Sequence, residues 1–203
     1  MARKTKAEAA ATREALLDAA EEVFFAKGVA RTSLEQVARH AGLTRGAVYW
    51  HFKNKGDLFM ALVERVHMPF QSLMEAVSKA DETISPMEAI RLACHAGLAR
   101  LEQPSHQRIL SILLHRCEFF SDINPLAMQD DIGEECYSEM LIVFKEAEHQ
   151  QLLREDVTPE VATRMLQSAL GDLFHDWLRT PDAFSIHQRG GELIDTLIRI
   201  MQR

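Results

Sequence analysis

Cysteine is scarce in this 203-residue chain: there are three, an odd number, and no Cys-x-x-Cys occurs among them. That argues against the disulfide framework of a small secreted domain and agrees with a reducing compartment. Glycine and proline are few, nine and six, and no stretch has the composition of a flexible linker. No apolar run approaches the roughly 18 residues that suggest a membrane span. The basic N-terminus lacks the apolar stretch of a signal peptide, so a cytoplasmic location and no membrane partner are expected. Catalytic signatures are also missing. There is no glycine-rich phosphate loop, no Gly-x-Ser-x-Gly elbow and no His-Glu-x-x-His. An enzyme is not expected, and the spacing calls for no cofactor and no metal.

What the chain has is helical periodicity and 47% hydrophobic residues, enough for a core. No alternating strand pattern persists, so the fold is expected to be all-α. Taken whole, the net charge of −7 argues against nucleic acid, but its distribution reverses that. Residues 1–56 hold ten Lys/Arg and six Asp/Glu, a net of +4. Residues 57–203 hold thirteen and twenty-four, a net of −11. A basic quarter on an acidic body suits a nucleic-acid-binding head on a regulatory body. Arg3, Lys4 and Lys6 form a basic arm that either adds salt-dependent affinity or is simply solvated.

The most specific stretch is Thr32 to Lys55, TSLEQVARHAGLTRGAVYWHFKNK. Leu34, Val37, Ala38 and Ala41 recur at the spacing of one helix face. Gly42 suits the left-handed backbone that ends such a helix. Thr44 is placed both to cap the next helix and to contact DNA; of Thr32 and Ser33 at the start of the one before, one is expected to cap it and the other to reach phosphate. With Val48 and Phe52 turned inward, Arg45, Gly46, Tyr49, Trp50 and His51 remain on or near the outer face. An arginine there suits a bidentate contact to guanine, and the aromatic and imidazole groups suit phosphates or a thymine methyl. Lys55, at the next helix start, is placed to share a phosphate with that helix terminus. Two short helices around a glycine turn read as a helix-turn-helix, whose expected partner is double-stranded DNA.

These residues resemble the DNA-binding domain of the tetracycline-repressor (TetR) family, and more narrowly its multidrug-efflux-pump repressors of the AcrR type. The matching words are the opening MARKTKAEAAATRE, then RTSLEQVARHAGLTRGAVYWHFKNK, then Asp57 to Phe59. His115, Arg116, Cys117, Glu118 and Phe119 resemble a second, weaker signature of that subgroup. The resemblance implies about nine helices. Residues 1–55 would be the three-helix DNA-binding head, and residues 56–203 a ligand-binding and dimerisation body. It implies a homodimeric repressor on a partly palindromic operator beside an efflux-pump operon, released by a small hydrophobic inducer, cationic ones included. Two recognition helices would then meet successive major grooves about 34–36 Å apart.

In the body, a fourth helix is expected over about residues 55–79, interrupted by Pro69 with a kink or restart around His67. Prolines at 86, 104, 125 and 159 suit first helical positions of later helices. Gly190-Gly191 is expected to interrupt helix before Leu193. The broad apolar stripe of the expected eighth helix suits burial against a partner. The resemblance implies that helices eight and nine pair across a two-fold axis, with Val161, Met165, Leu193, Leu197, Ile198 and Met201 at the interface. Candidate inducer contacts are Phe70, Met74, Leu114, Cys117, Met140, Phe144, Asp172, Phe174, His175 and Trp177. Methionine and aromatic side chains adapt to varied ligands, although they equally suit an ordinary core. Asp172 and His175 are polar groups within an apolar stripe, three residues apart and able to address one face. Efflux repressors often carry Asp-Gly where Gly171-Asp172 stands here. A metal- or redox-responsive regulator on the same head remains the alternative. His115 with Cys117, and Cys94 with His95, lack the spacing that puts both side chains on one helix face.

Overall fold

The computed structural model describes residues 6–81, 83–120 and 123–203. Arg3 and Lys4 of the basic arm lie outside the described residues. Ten α-helices and no strand occur among those residues. Two compact units form: one from the chain up to His67 with Ser105–Gln129, the other from Met68–Pro104 with Asp130–Arg203.

The first unit begins with α1 (Lys6–Lys27), whose buried stripe is Leu16, Leu17, Ala20, Val23 and Phe24. Gly28, at φ 81°, ends it. Next, α2 (Leu34–His40) opens on a capping box. The Ser33 hydroxyl accepts from Gln36 N–H at 3.3 Å, and the Gln36 side chain accepts from Ser33 N–H at 2.8 Å. It closes as a Schellman motif. Gly42, at φ 68°, donates to the Arg39 carbonyl, and Leu43 N–H reaches the Ala38 carbonyl at 2.8 Å. Thr44 caps α3 (Arg45–His51) through Ala47 N–H at 3.2 Å, and Asn54 caps α4 (Lys55–Glu64) through Asp57 N–H at 2.8 Å. Phe24 meets Phe59 edge to face at 6.3 Å, and Val48 and Phe52 complete this core.

The expected long fourth helix is two helices: α4 stops at Glu64, and α5 (Phe70–Ala80) starts afresh after Pro69. Proline lacks the N–H and clashes with the preceding turn, so the count rises from nine to ten. The expected eighth and ninth helices are therefore α9 and α10.

In the same first unit lies α7 (Pro104–His115), except for its first residue. It ends at His115, and the residues after it pack on the head. The Arg116 carbonyl accepts from Val29 N–H at 3.2 Å, and its guanidinium stacks over Phe25 at 4.7 Å. Phe120 meets Phe59 edge to face at 5.9 Å. At the centre of this unit Glu21 is 4% exposed. Its carboxylate accepts from Ser105 Oγ at 2.7 Å, lies 2.7 Å from Arg108 Nε, and has Arg65 at 4.0 Å.

The second unit holds α5, α6 (Pro86–Leu101), most of α8 (Pro125–His149), α9 (Pro159–Arg179) and α10 (Ile186–Met201). Its core includes Met87, Ile90, Ala93, Phe144, Leu166, Trp177 and Ile194. The glycine pair does not interrupt α10, which begins upstream of it at Ile186 behind a Ser185 cap. Both glycines are buried. A Cβ at Gly190 would stand 2.5 Å from Leu98 Cδ1, and one at Gly191 2.6 Å from His95 Cε1. These glycines are there to let α10 approach α6, at the cost of helix propensity. Ion pairs cross the same seam: His95 Nε2 and Arg91 Nη1 lie 2.9 and 3.1 Å from Asp195 Oδ1.

Candidate nucleic-acid interface

The turn at Gly42 and the Thr44 cap set the start of α3, and Val48 with Phe52 anchors its inner side. That leaves Arg45, Gly46, Tyr49 and Trp50 exposed, as the residue pattern predicts, with His51 half-buried. The Arg45 side chain is 74% exposed and Trp50 is 72% exposed. Trp50 meets the His51 ring edge to face at 4.5 Å. Ser33 and Thr44 are exposed at the starts of α2 and α3, where their hydroxyls cap and still face solvent.

Two expected contacts are placed differently from their neighbours. Thr32 is buried, and its hydroxyl donates inward to the Gly28 carbonyl at 2.9 Å. The Lys55 ammonium donates to the Val29 and Ala30 carbonyls at 2.8 and 3.0 Å and lies 4.8 Å from the Phe120 ring. Burial lowers its pKa from the ordinary lysine value. Two of its three donors hold the turn between α1 and α2.

Sequence reasoning missed Glu35. From the first turn of α2 its Oε1 accepts the Tyr49 hydroxyl at 2.9 Å and lies 3.2 Å from Arg45 Nε. The Arg45 guanidinium sits 5.4 Å from the Tyr49 ring centroid. The backbone N–H of Glu35 and then the Tyr49 hydroxyl hold this carboxyl below the usual range, with Ser33 and Arg45 adding to it. No sequence periodicity links positions 35 and 45, which lie on different helices.

The candidate inducer contacts divide between the units. In the second, Phe70, Met140, Phe144 and Trp177 are buried, while Met74 and Phe174 are half-buried. Phe174 lies 6.5 Å from Trp177 and 6.0 Å from His175, ring to ring. Asp172 and His175 are exposed. Within the single chain they stand at helical spacing from Val161 and Met165, which are also exposed. Leu114 and Cys117 lie in the first unit, both half-buried. Of the expected interface residues, Val161 and Met165 are 48% and 37% exposed on α9. Leu193 is half-buried, and Leu197, Ile198 and Met201 are already buried within the chain.

Burial pushes the Cys94 thiol up to about 12 and those of Cys117 and Cys136 up to about 11. Their thiolate fraction at neutral pH is small, which disfavours rapid oxidation. No group of three His, Cys, Asp or Glu suited to a metal occurs among the described residues. Nor is any helix there long and apolar enough to cross a membrane.

Two family models match the chain. Residues 16–62 match bacterial regulatory proteins of the tetR family, and residues 85–203 match the C-terminal region of MAATS-type transcriptional repressors. The chain is 32% identical over 205 residues to the HTH-type transcriptional repressor BepR of Brucella suis, covering 98% of this chain and 96% of BepR. It is 32% identical over 198 residues to the HTH-type transcriptional regulator TtgR of Pseudomonas putida, covering 97% and 94%. Among solved structures it is similar to NalD, the secondary repressor of the MexAB-OprM multidrug efflux pump in Pseudomonas aeruginosa. There the TM-score is 0.83 and the identity 36%, over 98% of this chain and 99% of NalD. It is likewise similar to SmeT in complex with triclosan, at a TM-score of 0.82 and 34% identity, over 95% and 92%.

Proposed function

Because this chain belongs to the tetR family of bacterial regulatory proteins, with the MAATS-type repressor C-terminal region, we propose that it is a ligand-responsive transcriptional repressor of a multidrug efflux operon. The observation that carries this reading is the outer face of α3, where Arg45, Tyr49 and Trp50 stand exposed on a capped, core-anchored helix. Arg45 reads a guanine; Trp50, His51, Ser33, Thr44 and Lys55 engage the backbone, and Gly46 permits close approach. Residues 1–55 act as the DNA-binding part and 56–203 as the ligand-binding and dimerisation part.

The protein works in the cytoplasm as a homodimer whose α9 and α10 pair with their copies, Val161 and Met165 being the open apolar positions of α9. Its inducer is a small hydrophobic compound; triclosan bound to SmeT is the precedent for such a ligand. The net −11 of residues 57–203 admits cationic ones. Ligand favours a body conformation whose two heads are wrongly spaced for the operator. Within the first unit, α7 reaches α1 through the Ser105 and Arg108 contacts to Glu21. A displacement of α7 is therefore felt at the head. A metal- or redox-responsive regulator on the same head is the weaker reading, given the raised thiols.

The test is binding to DNA upstream of the protein's own and adjacent genes, over a range of salt, with and without a panel of apolar drugs. Sequence-dependent binding released by a drug is the expected result, and that drug's Kd must rise by the same factor when operator is present. Specific binding disturbed only by oxidant or zinc would favour the alternative. An absence of specific binding at any salt overturns the reading.

A further inference from the structure

Arg45 is not a free arginine. Its Nε lies 3.2 Å from Glu35 Oε1 as an ion pair, and the same oxygen accepts the Tyr49 hydroxyl at 2.9 Å. The guanidinium is steered over the Tyr49 ring at 5.4 Å. One carboxylate on α2 thus holds two exposed side chains of α3. With the Nε edge paired to the carboxylate, the two terminal nitrogens are the donors to offer a base. Those are the pair that match O6 and N7 of guanine. A side chain already held in position loses less freedom when it binds. The carboxylate also carries a cost that a purely attractive design would avoid, since its charge repels every phosphate near it. That repulsion weakens cognate and non-cognate DNA alike, whereas the alignment of Arg45 helps only where a guanine is correctly placed. The difference between the two is specificity.

We propose that Glu35 is a positioning residue for operator specificity, aligning Arg45 and Tyr49 for base reading while penalising DNA that offers Arg45 only phosphates. The proposal rests on the DNA-binding reading above and deepens it. It assigns no base contact to Glu35 itself.

The experiment selects duplexes from a random 24-base-pair library with the full-length wild-type protein. It then measures Kd for the leading duplex and for a shuffled one, with wild type, Glu35→Ala, Glu35→Asp, Arg45→Ala and the Glu35→Ala/Arg45→Ala double variant. For Glu35→Ala the cognate-to-shuffled ratio should fall about tenfold, the scale of one well-made bidentate base contact. Binding to the shuffled duplex should tighten severalfold. The lost base preference should fall at the position that Arg45→Ala also loses. Added to Arg45→Ala, the Glu35 change should cost little further specificity, because the two residues act as one unit. Glu35→Asp keeps the charge but shortens the reach. It should lose specificity while binding shuffled DNA as wild type does.

An unchanged ratio in Glu35→Ala overturns the proposal. Full specificity in Glu35→Asp overturns the positioning role and leaves a charge effect alone. Loss at a base position that Arg45→Ala leaves intact overturns it in favour of direct reading by the carboxylate. Should wild type select no sequence at all, the DNA-binding reading falls, and this inference with it.

Discussion

Replacing Gly190 by alanine sets two effects of known sign against each other. Inside a helix, alanine is favoured over glycine by about 1 kcal/mol. Against this, the new Cβ would stand 2.5 Å from Leu98 Cδ1 and 3.2 Å from Leu173 Cδ2. Ordinary carbon contacts lie at about 3.5–4.0 Å, so Leu98 must withdraw by roughly 1 Å. Leu98 is 5% exposed and has no solvent to withdraw into. Overpacking of this kind costs about 1–3 kcal/mol, so the net is destabilisation by up to about 2 kcal/mol. Gly171 in α9 supplies the control, because a Cβ there meets nothing within 4 Å. Gly171→Ala therefore isolates propensity and should stabilise by up to about 1 kcal/mol. The assay is equilibrium urea unfolding at one fixed protein concentration, comparing midpoints with the slope held common. Gly190→Ala should fall below wild type and Gly171→Ala should rise above it. A Gly190→Ala protein as stable as Gly171→Ala would refute the claim that close approach of α10 to α6 is why the glycine pair is there.

Other substitutions probe the head and the ion pairs. Arg45→Ala should remove about 1–3 kcal/mol of discrimination at one base position, read from competition binding with single-base operator variants. Unchanged preference at every position would end its base-reading role. Glu21→Ala should destabilise by about 1–3 kcal/mol, less than the 3–5 typical of a broken buried pair, because Arg108 and Arg65 are 43% and 26% exposed and regain water. Glu21→Leu should cost less than Glu21→Ala in the same urea melts, since it fills the space the carboxylate vacates. The acid limb of stability should depend on Asp195, which His95 and then Arg91 hold below the usual carboxylate range. A carboxylate so depressed contributes stability that is fully present above its unfolded value of about 3.9 and is lost as pH falls through its lower folded value. Asp195→Asn should accordingly flatten the decline in urea midpoint below about pH 4; an identical decline would assign it to other groups.

The local signals of the chain were legible because their causes are local. Ser33, Thr44 and Asn54 cap the helices they precede, and Gly42 takes the positive φ expected of it. Val48 and Phe52 turn inward, so the exposed face of α3 followed from periodicity alone. What escaped depends on partners distant in sequence. Gly190-Gly191 looked like a break because propensity counts only the helix it sits in, whereas Leu98 and His95 explain the pair. Lys55 looked free until Val29 and Ala30 supplied acceptors for it. Asp172 and His175 looked like polar groups in an apolar stripe, and within the single chain both are exposed. Glu35 offered no sign, because its two partners lie on the next helix.

The segment that follows α7 has a consequence for synthesis. Val29 gains its acceptor from Arg116, Phe59 its edge contact from Phe120, and Gly56 lies beneath Ile123. A ribosome adds roughly 5–20 residues per second. The helix-turn-helix therefore leaves it several seconds before the residues that finish its core have been made. Until then the contacts of Phe59 with Phe120 and of the Val29 amide with Arg116 are unmade. The nascent head must wait unfinished, attached to its own messenger, until the chain has grown to about residue 123 and the exit tunnel has released it.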